Sequence, residues 1–279
     1  MNTVNIAAYR FVSLDGLSEL RAWLKEKCRS LGLKGTILLA PEGINLFLAG
    51  TPQAIDDFAG YLEADSRFAG MEYKRSLSGD QPFNRMLVKL KKEIISMGMP
   101  EINPAQRPAP AVKPLTLKAW LDEGRDLVLL DTRNEYEIRL GTFRNIAHLD
   151  IDTFRVFPKA VARLDDSLKD RTVVTFCTGG IRCEKAAPLL QSYGFKHVFQ
   201  LEGGILKYFE DVGGAHYDGE CFVFDRRVAL NAQLEVTGTV QCFNCLSPVS
   251  REDQQSPDYS AHEYCPHCAQ GKPVKQLAA

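Results

Sequence analysis

A chain of 279 residues, 45% hydrophobic and 25% charged with a formal net charge of -1, has the make-up of a soluble globular protein of two or three domains. The balanced charge implies no acidic or basic partner, and no apolar run approaches the roughly 18 residues of a membrane span. The start lacks the pattern of a signal peptide, so a cytoplasmic location is expected, where eight cysteines read as ligands or reactive thiols rather than disulfides.

In chain order, "NIAAYRFV" alternates as a strand, and "GLSELRAWLKEKCRSLG" spaces Leu17, Leu20, Leu24 and Leu31 as a helix stopped by Gly32. Cys28 on that helix reads as a small buried hydrophobe. "TILLA" and "INLFLAG" flank the turn "PEG", and "TPQAIDDFAGYLEAD" opens a helix with Pro52 in its first turn. Either "EYKRSLS" or "RMLVKLKKEIIS" supplies the returning strand. The order β-α-β-β-α-β predicts a ferredoxin-like domain over residues 1–99. Between 67 and 92, Arg67, Lys74, Arg75, Arg85, Lys89, Lys91 and Lys92 outnumber Glu72 and Asp80, a local excess suited to phosphate. The competing reading is a solvated strand edge protected by lysine against aggregation.

Pro100, Pro104, Pro108, Pro110 and Pro114 mark residues 100–114 as an extended linker, unfit for a helix or a regular strand. Beyond it, helical "LTLKAWLDEG" alternates with the short apolar strands "LVLLDT", "TVVTFC" and "HVFQL", which predicts a parallel sheet covered on both faces. In such sheets the site lies outside the carboxyl ends of the strands. The loop "CTGGIR", Cys177 to Arg182, sits there between a strand and the helix "RCEKAAPLLQSYG". Its glycines let backbone N–H groups turn inward at a positive helix end, which with Arg182 would acidify Cys177 into a nucleophile. A buried structural cysteine before a turn is the bland alternative.

Four residues, Thr178, Gly179, Gly180 and Ile181, separate Cys177 from Arg182, one fewer than a cysteine phosphatase uses to cradle phosphate. On this loop, on "DTRNEYEIRLGTF" and on "GFKHVFQLEGGILKY", residues 114–212 resemble a rhodanese domain, whose loop cysteine can hold a persulfide. Thr142 stands where many rhodaneses have histidine. Asp131, Arg133 and Glu137 are given a structural role, and Arg133 and Glu137 are spaced to pair if helical. Gly203 and Gly204 are expected to let backbone approach the loop closely. Cys183 has two open readings, a thiol that resolves chemistry at Cys177 and one that packs inward, and Pro188 leaves its direction undecided.

"YDGECFVFDRRVAL" alternates as a strand with Cys221 buried, and Arg226 and Arg227 read either as part of a ligand face or, more commonly for two arginines after an aspartate, as a solvated pair. Cys242, Cys245, Cys265 and Cys268 then form C-x2-C-x19-C-x2-C, the spacing of a structural zinc site in a tail too small to hold itself by an apolar core. His262 and His267 are left out of that set. The expected partition is a ferredoxin-like domain 1–99, a linker 100–114, a rhodanese-like parallel α/β domain 115–213 and a Cys-rich, zinc-ribbon-like region 214–279.

Taken together, "LLAPEGIN", "LAGT", "PFNRMLVKLKKEII", "CTGGIRCEKA" and "GECFVFDRRV" with the two cysteine pairs resemble the bacterial tRNA uridine(34) hydroxylase family over essentially the full length. The resemblance implies oxygen-dependent hydroxylation of the wobble uridine to 5-hydroxyuridine, with O2 as co-substrate, tRNA as partner and Cys177 as the catalytic cysteine. Arg182 and Cys183 complete the candidate catalytic set. Lys74, Arg75, Arg85, Lys89, Lys91 and Lys92 are the candidate RNA contacts, with Tyr73 and Phe83 near enough in sequence to stack on a splayed base. A persulfide-carrying sulfurtransferase is the alternative function. No facial iron triad or dinucleotide fingerprint is present, which leaves cysteine chemistry: either the Cys177 thiolate adds to C6 of uridine, or Cys177 carries a persulfide or sulfenic acid.

Overall fold

In the first strand, β1 (Thr3–Phe11), Val4, Ile6 and Ala8 are buried in one core while Asn5, Ala7 and Tyr9 face the opposite side of the sheet. This computed structural model describes residues 3–269; the last ten residues of the expected Cys-rich region lie outside the described residues. Helix α1 (Leu17–Ser30) buries Leu20, Leu24 and Cys28, one face at four-residue spacing. Strands β2 (Lys34–Ala40) and β3 (Gly43–Gly50) follow. In α2 (Pro52–Glu63) Pro52 opens the helix and the Thr51 hydroxyl accepts the Ala54 N–H at 3.2 Å. Both candidate returning segments are strands, β4 (Lys74–Ser78) and β5 (Met86–Leu90).

The sheet order is β4-β1-β3-β2-β5, antiparallel except for the β2–β5 pair. The first four strands are the expected ferredoxin-like unit, and β5 adds a strand at the far edge. Ile44, Leu46 and Leu48 of β3 pack with Leu24, Ile55 and Phe58 of the helices, each such burial worth about 1.5–3 kcal/mol. The other face of the sheet carries no helix of its own, and that face builds the site.

The proline-rich segment is not a free strap. Met97 and Ala109 are buried in the second core, and β6 (Ala111–Val112) joins the second sheet as an edge strand parallel to β11 (His197–Leu201). Proline lacks a donor but keeps its acceptor: the Pro110 carbonyl takes the Gln200 N–H at 2.9 Å. Pro114 opens α3 (Pro114–Asp122), which is followed by β7 (Leu127–Asp131), α4 (Glu135–Ile138), β8 (Gly141–Phe143), β9 (Ile146–Ala147), α5 (Phe157–Val161), β10 (Thr172–Phe176), α6 (Ile181–Ser192) and, after β11, α7 (Gly204–Val212). The sheet β6-β11-β10-β7-β9 is wholly parallel. Its strands send Val128, Leu130, Val173 and Val198 into one core with α5 and α6, and Leu129, Val174, Phe176 and Leu201 into another with α3 and α7.

Beyond α7, β12 (Tyr217–Gly219) pairs with β8, β13 (Cys221–Phe222) with β14 (Ala229–Leu230), and β15 (Val240–Gln241) with β16 (Pro248–Val249). The last core consists of Val249 and the cysteines Cys242, Cys265 and Cys268, so thiols take the place of apolar bulk.

Candidate active site

The loop from Cys177 to Gly180 joins β10 to α6 at the carboxyl end of the parallel sheet. Its carbonyls are drawn away from the sulfur: Ile205 N–H donates to Cys177 O at 2.9 Å, and Leu206 N–H to Thr178 O at 3.1 Å. The amides consequently turn inward, and Gly180 N–H donates to Cys177 Sγ at 3.1 Å. Gly204 makes this possible with φ 68°, since a Cβ there would lie 2.4 Å from Cys177 O. The Thr178 hydroxyl donates to Phe222 O at 3.3 Å, tying the loop to β13.

Cys177 is 2% exposed. Burial by itself raises its pKa, but a hydrogen bond from Cys183, the charge of Arg182 and the N–H groups of Arg182 and Gly180 outweigh it and bring it down to about 6. It is a thiolate at neutral pH. Cys183 moves the opposite way, pushed well up by burial and then by the neighbouring thiolate, and so stays a neutral S–H donor. Cys183 is fully buried and points inward, with its sulfur 3.8 Å from the Thr132 hydroxyl, and it lies near enough to Cys177 for each sulfur to shift the other's pKa. Helix α6 continues through Pro188.

The expected Arg133–Glu137 pair does not form. Arg133 is fully buried with Asp131 at 2.7 Å and donates also to Gly141 O, because Asp131 at the end of β7 is the nearer carboxylate. Thr142, in the place of the rhodanese histidine, donates to Asp131 Oδ2 at 2.8 Å. Glu137 is freed for Arg182, whose guanidinium it holds at 2.8 Å with both side chains buried. Among the described residues Arg182 Nη1 has no hydrogen-bond partner, and the guanidinium lies 5.6 Å from the Phe224 ring centroid.

A cleft of about 100 Å³ opens onto Cys177, Thr178, Gly179 and Arg182. Its opposite wall is the helix-free face of the first sheet: Asn5, Ala7, Tyr9, Asn45, Phe47, Lys74 and Ser76. Leu206, Lys207 and Glu210 of α7 and the segment from Val223 to Leu234 close its sides. Tyr9 was not picked out by sequence reasoning, yet its hydroxyl donates to Glu184 at 3.2 Å and would lie 2.8 Å from a Cβ on Gly180. Asn5, also missed, is 3% exposed; its Oδ1 has no partner among the described residues, and its amide nitrogen donates to Ser78 Oγ at 3.0 Å. The alternation of β1 announces this polar face, but only the fold shows what it faces.

Alternation also divides the candidate RNA contacts. Lys74 faces the cleft, whereas the Arg75 guanidinium turns toward α2 and pairs with Asp56 at 2.7 Å. Arg85 is exposed in an adjoining groove with Phe83, Phe224 and Arg226. Lys89 on β5 and the adjacent Lys91 and Lys92 sit at the sheet edge opposite β4 and line neither recess. Tyr73 packs against the first core, and Phe83 lines both recesses. Arg226 is exposed as expected, but Arg227 is not a solvated side chain: it pairs with Asp225 at 2.6 Å, donates to Ser76 Oγ at 2.6 Å and lines the cleft.

A buried cation joins the two halves. Lys185, 1% exposed on α6, reaches Glu42 at 2.8 Å and Glu93 at 2.7 Å and donates to Ile95 O at 3.1 Å. Glu42 is the glutamate of "APEGIN" and Lys185 the lysine of "CTGGIRCEKA", so a single ion-pair cluster links these two sequence motifs.

Cys242, Cys245, Cys265 and Cys268 bring their sulfurs within 4.8 Å of one another, with separations of 3.9, 3.6 and 3.8 Å between the hydrogen-bonding pairs. Thiolates about 2.3 Å from a tetrahedral ion are about 3.8 Å apart, so this cluster has the dimensions of a four-cysteine metal site. Among the described residues no helix is long and apolar enough to cross a membrane.

Comparison with known proteins agrees with this architecture. A family model described as a UPF0176 acylphosphatase like domain matches residues 3–94, and a rhodanese-like domain model matches residues 113–211. A protein of Cupriavidus taiwanensis named tRNA uridine(34) hydroxylase is 58% identical over 277 residues, 98% of each chain. One of the same name from Cupriavidus necator is 57% identical, again over 98% of each. A third, from Ralstonia nicotianae, is 56% identical over 96% of this chain and 97% of its own. Among solved structures, the rhodanese-like domain of an Anabaena protein matches 39% of this chain and 79% of its own at 25% identity and a TM-score of 0.33.

Proposed function

This chain belongs to the tRNA uridine(34) hydroxylase family, and we propose that it hydroxylates C5 of the wobble uridine of tRNA to give 5-hydroxyuridine, with Cys177 as the attacking group. The observation that carries the reading is the Cys177 thiolate, which accepts the Gly180 N–H in a cleft whose far wall presents Asn5, Tyr9, Asn45 and Phe47, groups able to stack on and hydrogen-bond a splayed base. Addition of the thiolate to C6 would make C5 nucleophilic toward oxygen. With O2 as co-substrate, one oxygen atom enters the C5 hydroxyl and the other leaves as water, which requires two protons and two electrons from an external donor. Arg182 supplies fixed positive charge beside the reacting sulfur, and the buried neutral Cys183 thiol helps keep that sulfur ionised.

In this reading residues 1–99 close the cleft over the base, residues 115–213 supply the thiolate, and the region from 214 frames the entrance. Phosphate contacts are assigned to Arg85 and Arg226 in the adjoining groove. Lys89, Lys91 and Lys92 would reach only RNA that extends around the far sheet edge. The four-cysteine cluster is assigned to structural zinc, which would replace a missing apolar core. A tRNA substrate would put the protein in the cytoplasm.

The test is nucleoside mass spectrometry of tRNA from cells lacking the protein, complemented with the wild type or Cys177→Ala and grown with or without oxygen. Restoration of 5-hydroxyuridine only by the wild type and only in air is the expected result. Unchanged 5-hydroxyuridine with loss of a thiolated nucleoside would make the protein a sulfur carrier instead.

A further inference from the structure

Four cationic side chains face the cleft: Lys74, Arg182, Lys207 and Arg227. Three have carboxylate partners. Arg182 is held by Glu137 at 2.8 Å, Lys207 by Asp211 at 2.8 Å and Arg227 by Asp225 at 2.6 Å. Lys74 has neither an ion-pair partner nor a hydrogen-bond acceptor among the described residues. Its ammonium lies 5.4 Å from the centroid of the Tyr9 ring, and the Tyr9 hydroxyl stands against Gly180, whose N–H holds the Cys177 sulfur.

An unpaired ammonium, half-buried on a recessed wall, carries a desolvation cost that no direct ion pair or hydrogen bond among the described residues offsets. Burial pushes Lys74 below the usual lysine range, opposed by the fields of Cys177, Glu72, Glu184 and Glu210. An anion arriving with the substrate would restore the balance. Two substrate anions are available: a backbone phosphate, present before reaction, and the charge that develops on the base during it. The recessed position, on the same wall as Tyr9 and Asn5 and facing the thiolate loop, favours the second, because a phosphate would have to leave water to reach it while the base must enter in any case.

We propose that Lys74 is a catalytic residue whose ammonium hydrogen-bonds O4 of the uracil and neutralises the enolate formed when Cys177 adds to C6. The inference rests on the reading of Cys177 as the attacking group. In this step the S–C6 bond forms, the C5=C6 π bond opens, and its electron pair moves through C4 onto O4. Protonation of C5 by solvent, loss of the original C5 proton and expulsion of the thiolate then regenerate uridine. No oxidant is consumed, so without oxygen the step is visible as exchange of the C5 hydrogen.

The experiment incubates the full-length protein with unmodified tRNA in D2O under anaerobic conditions and measures deuterium at C5 of uridine 34 by mass spectrometry. Filter binding at several salt concentrations runs in parallel. The wild type is expected to exchange this hydrogen; Lys74→Met should slow exchange at saturating tRNA about 100-fold while changing tRNA affinity by less than about 3-fold. Lys74→Arg, which keeps the charge, should recover part of the rate. Exchange by Lys74→Met at the wild-type rate would overturn the proposal. So would lost affinity with a shallower salt dependence and an unchanged rate at saturation, the signature of a phosphate contact. A wild-type protein that hydroxylates in air but never exchanges C5 would instead refute addition by Cys177, and Lys74's role with it.

Discussion

Lys185→Met removes the one cation shared by Glu42, from the turn between β2 and β3, and Glu93, at the start of the connecting segment. Methionine keeps most of the stem volume, so the change is chiefly electrostatic. The two carboxylates, whose side chains are each 20% exposed, would face one another across a site emptied of positive charge. Removing one member of a buried ion pair costs about 3–5 kcal/mol, and with two acceptors orphaned the upper half of that range is expected at pH 7. Glu93 fixes how the loss depends on pH. Burial raises its pKa, but the Lys185 hydrogen bond, the Met97 and Gly98 amides and the Lys185 charge outweigh it and hold the carboxyl below its ordinary 4.5. The wild-type contribution is therefore present above that value and fades as pH falls through the depressed one. In Lys185→Met the Glu93 carboxyl loses the contacts with Lys185 that depress it and keeps the burial that raises it, so the stability gap should be widest near neutrality and narrow below about pH 5. Urea denaturation of both proteins at several pH values, read by tryptophan fluorescence, measures it. A loss under about 1 kcal/mol at pH 7, or one independent of pH, would show that water solvates this cluster and that it does not bind the two halves together.

Three further outcomes are expected. Alkylation of Cys177 by iodoacetamide, followed by peptide mass spectrometry, should titrate with a midpoint near 6, so the thiolate form is lost as pH falls through that value; Arg182→Leu should move the midpoint above about 7, and an unmoved midpoint would remove Arg182 from thiolate stabilisation. Gly204→Ala forces a side chain into a left-handed backbone 2.4 Å from Cys177 O and should lower hydroxylation at least about 10-fold, whereas Gly179→Ala meets no atom within 4 Å and should fold as the wild type does; equal effects on melting temperature would refute the packing argument. Protein purified from zinc-replete cells should hold about one equivalent of zinc that Cys265→Ser loses, and a metal-free wild type by elemental mass spectrometry would refute the zinc assignment.

Local sequence determined a great deal here. Alternation in "NIAAYRFV", the leucine spacing of α1, Thr51 and Pro52 at the start of α2, and the short apolar strands of the parallel sheet are properties of neighbouring residues, and each became the expected element. The Cys177 loop was legible for the same reason: a cysteine, two glycines and an arginine between a strand and a helix have few ways to arrange their amides. The four-cysteine cluster was legible from spacing alone.

Tertiary structure decided which distant groups meet. Glu137 was expected to pair four residues back, but the buried Asp131 took Arg133 and left Glu137 to Arg182, a choice fixed by where β7 ends relative to α6. Lys74 and Arg75 are adjacent and alike in sequence, yet the two-residue period of β4 sends one into the cleft and the other to Asp56 on α2. Tyr9 and Asn5 could be placed on one face of β1 by pattern, but not opposite Cys177, since the residues lie more than 160 apart in the chain and face one another only where the two sheets dock. Short-range patterns fix secondary structure because their energetics are local; a site shared between two sheets exists only after both have folded and docked.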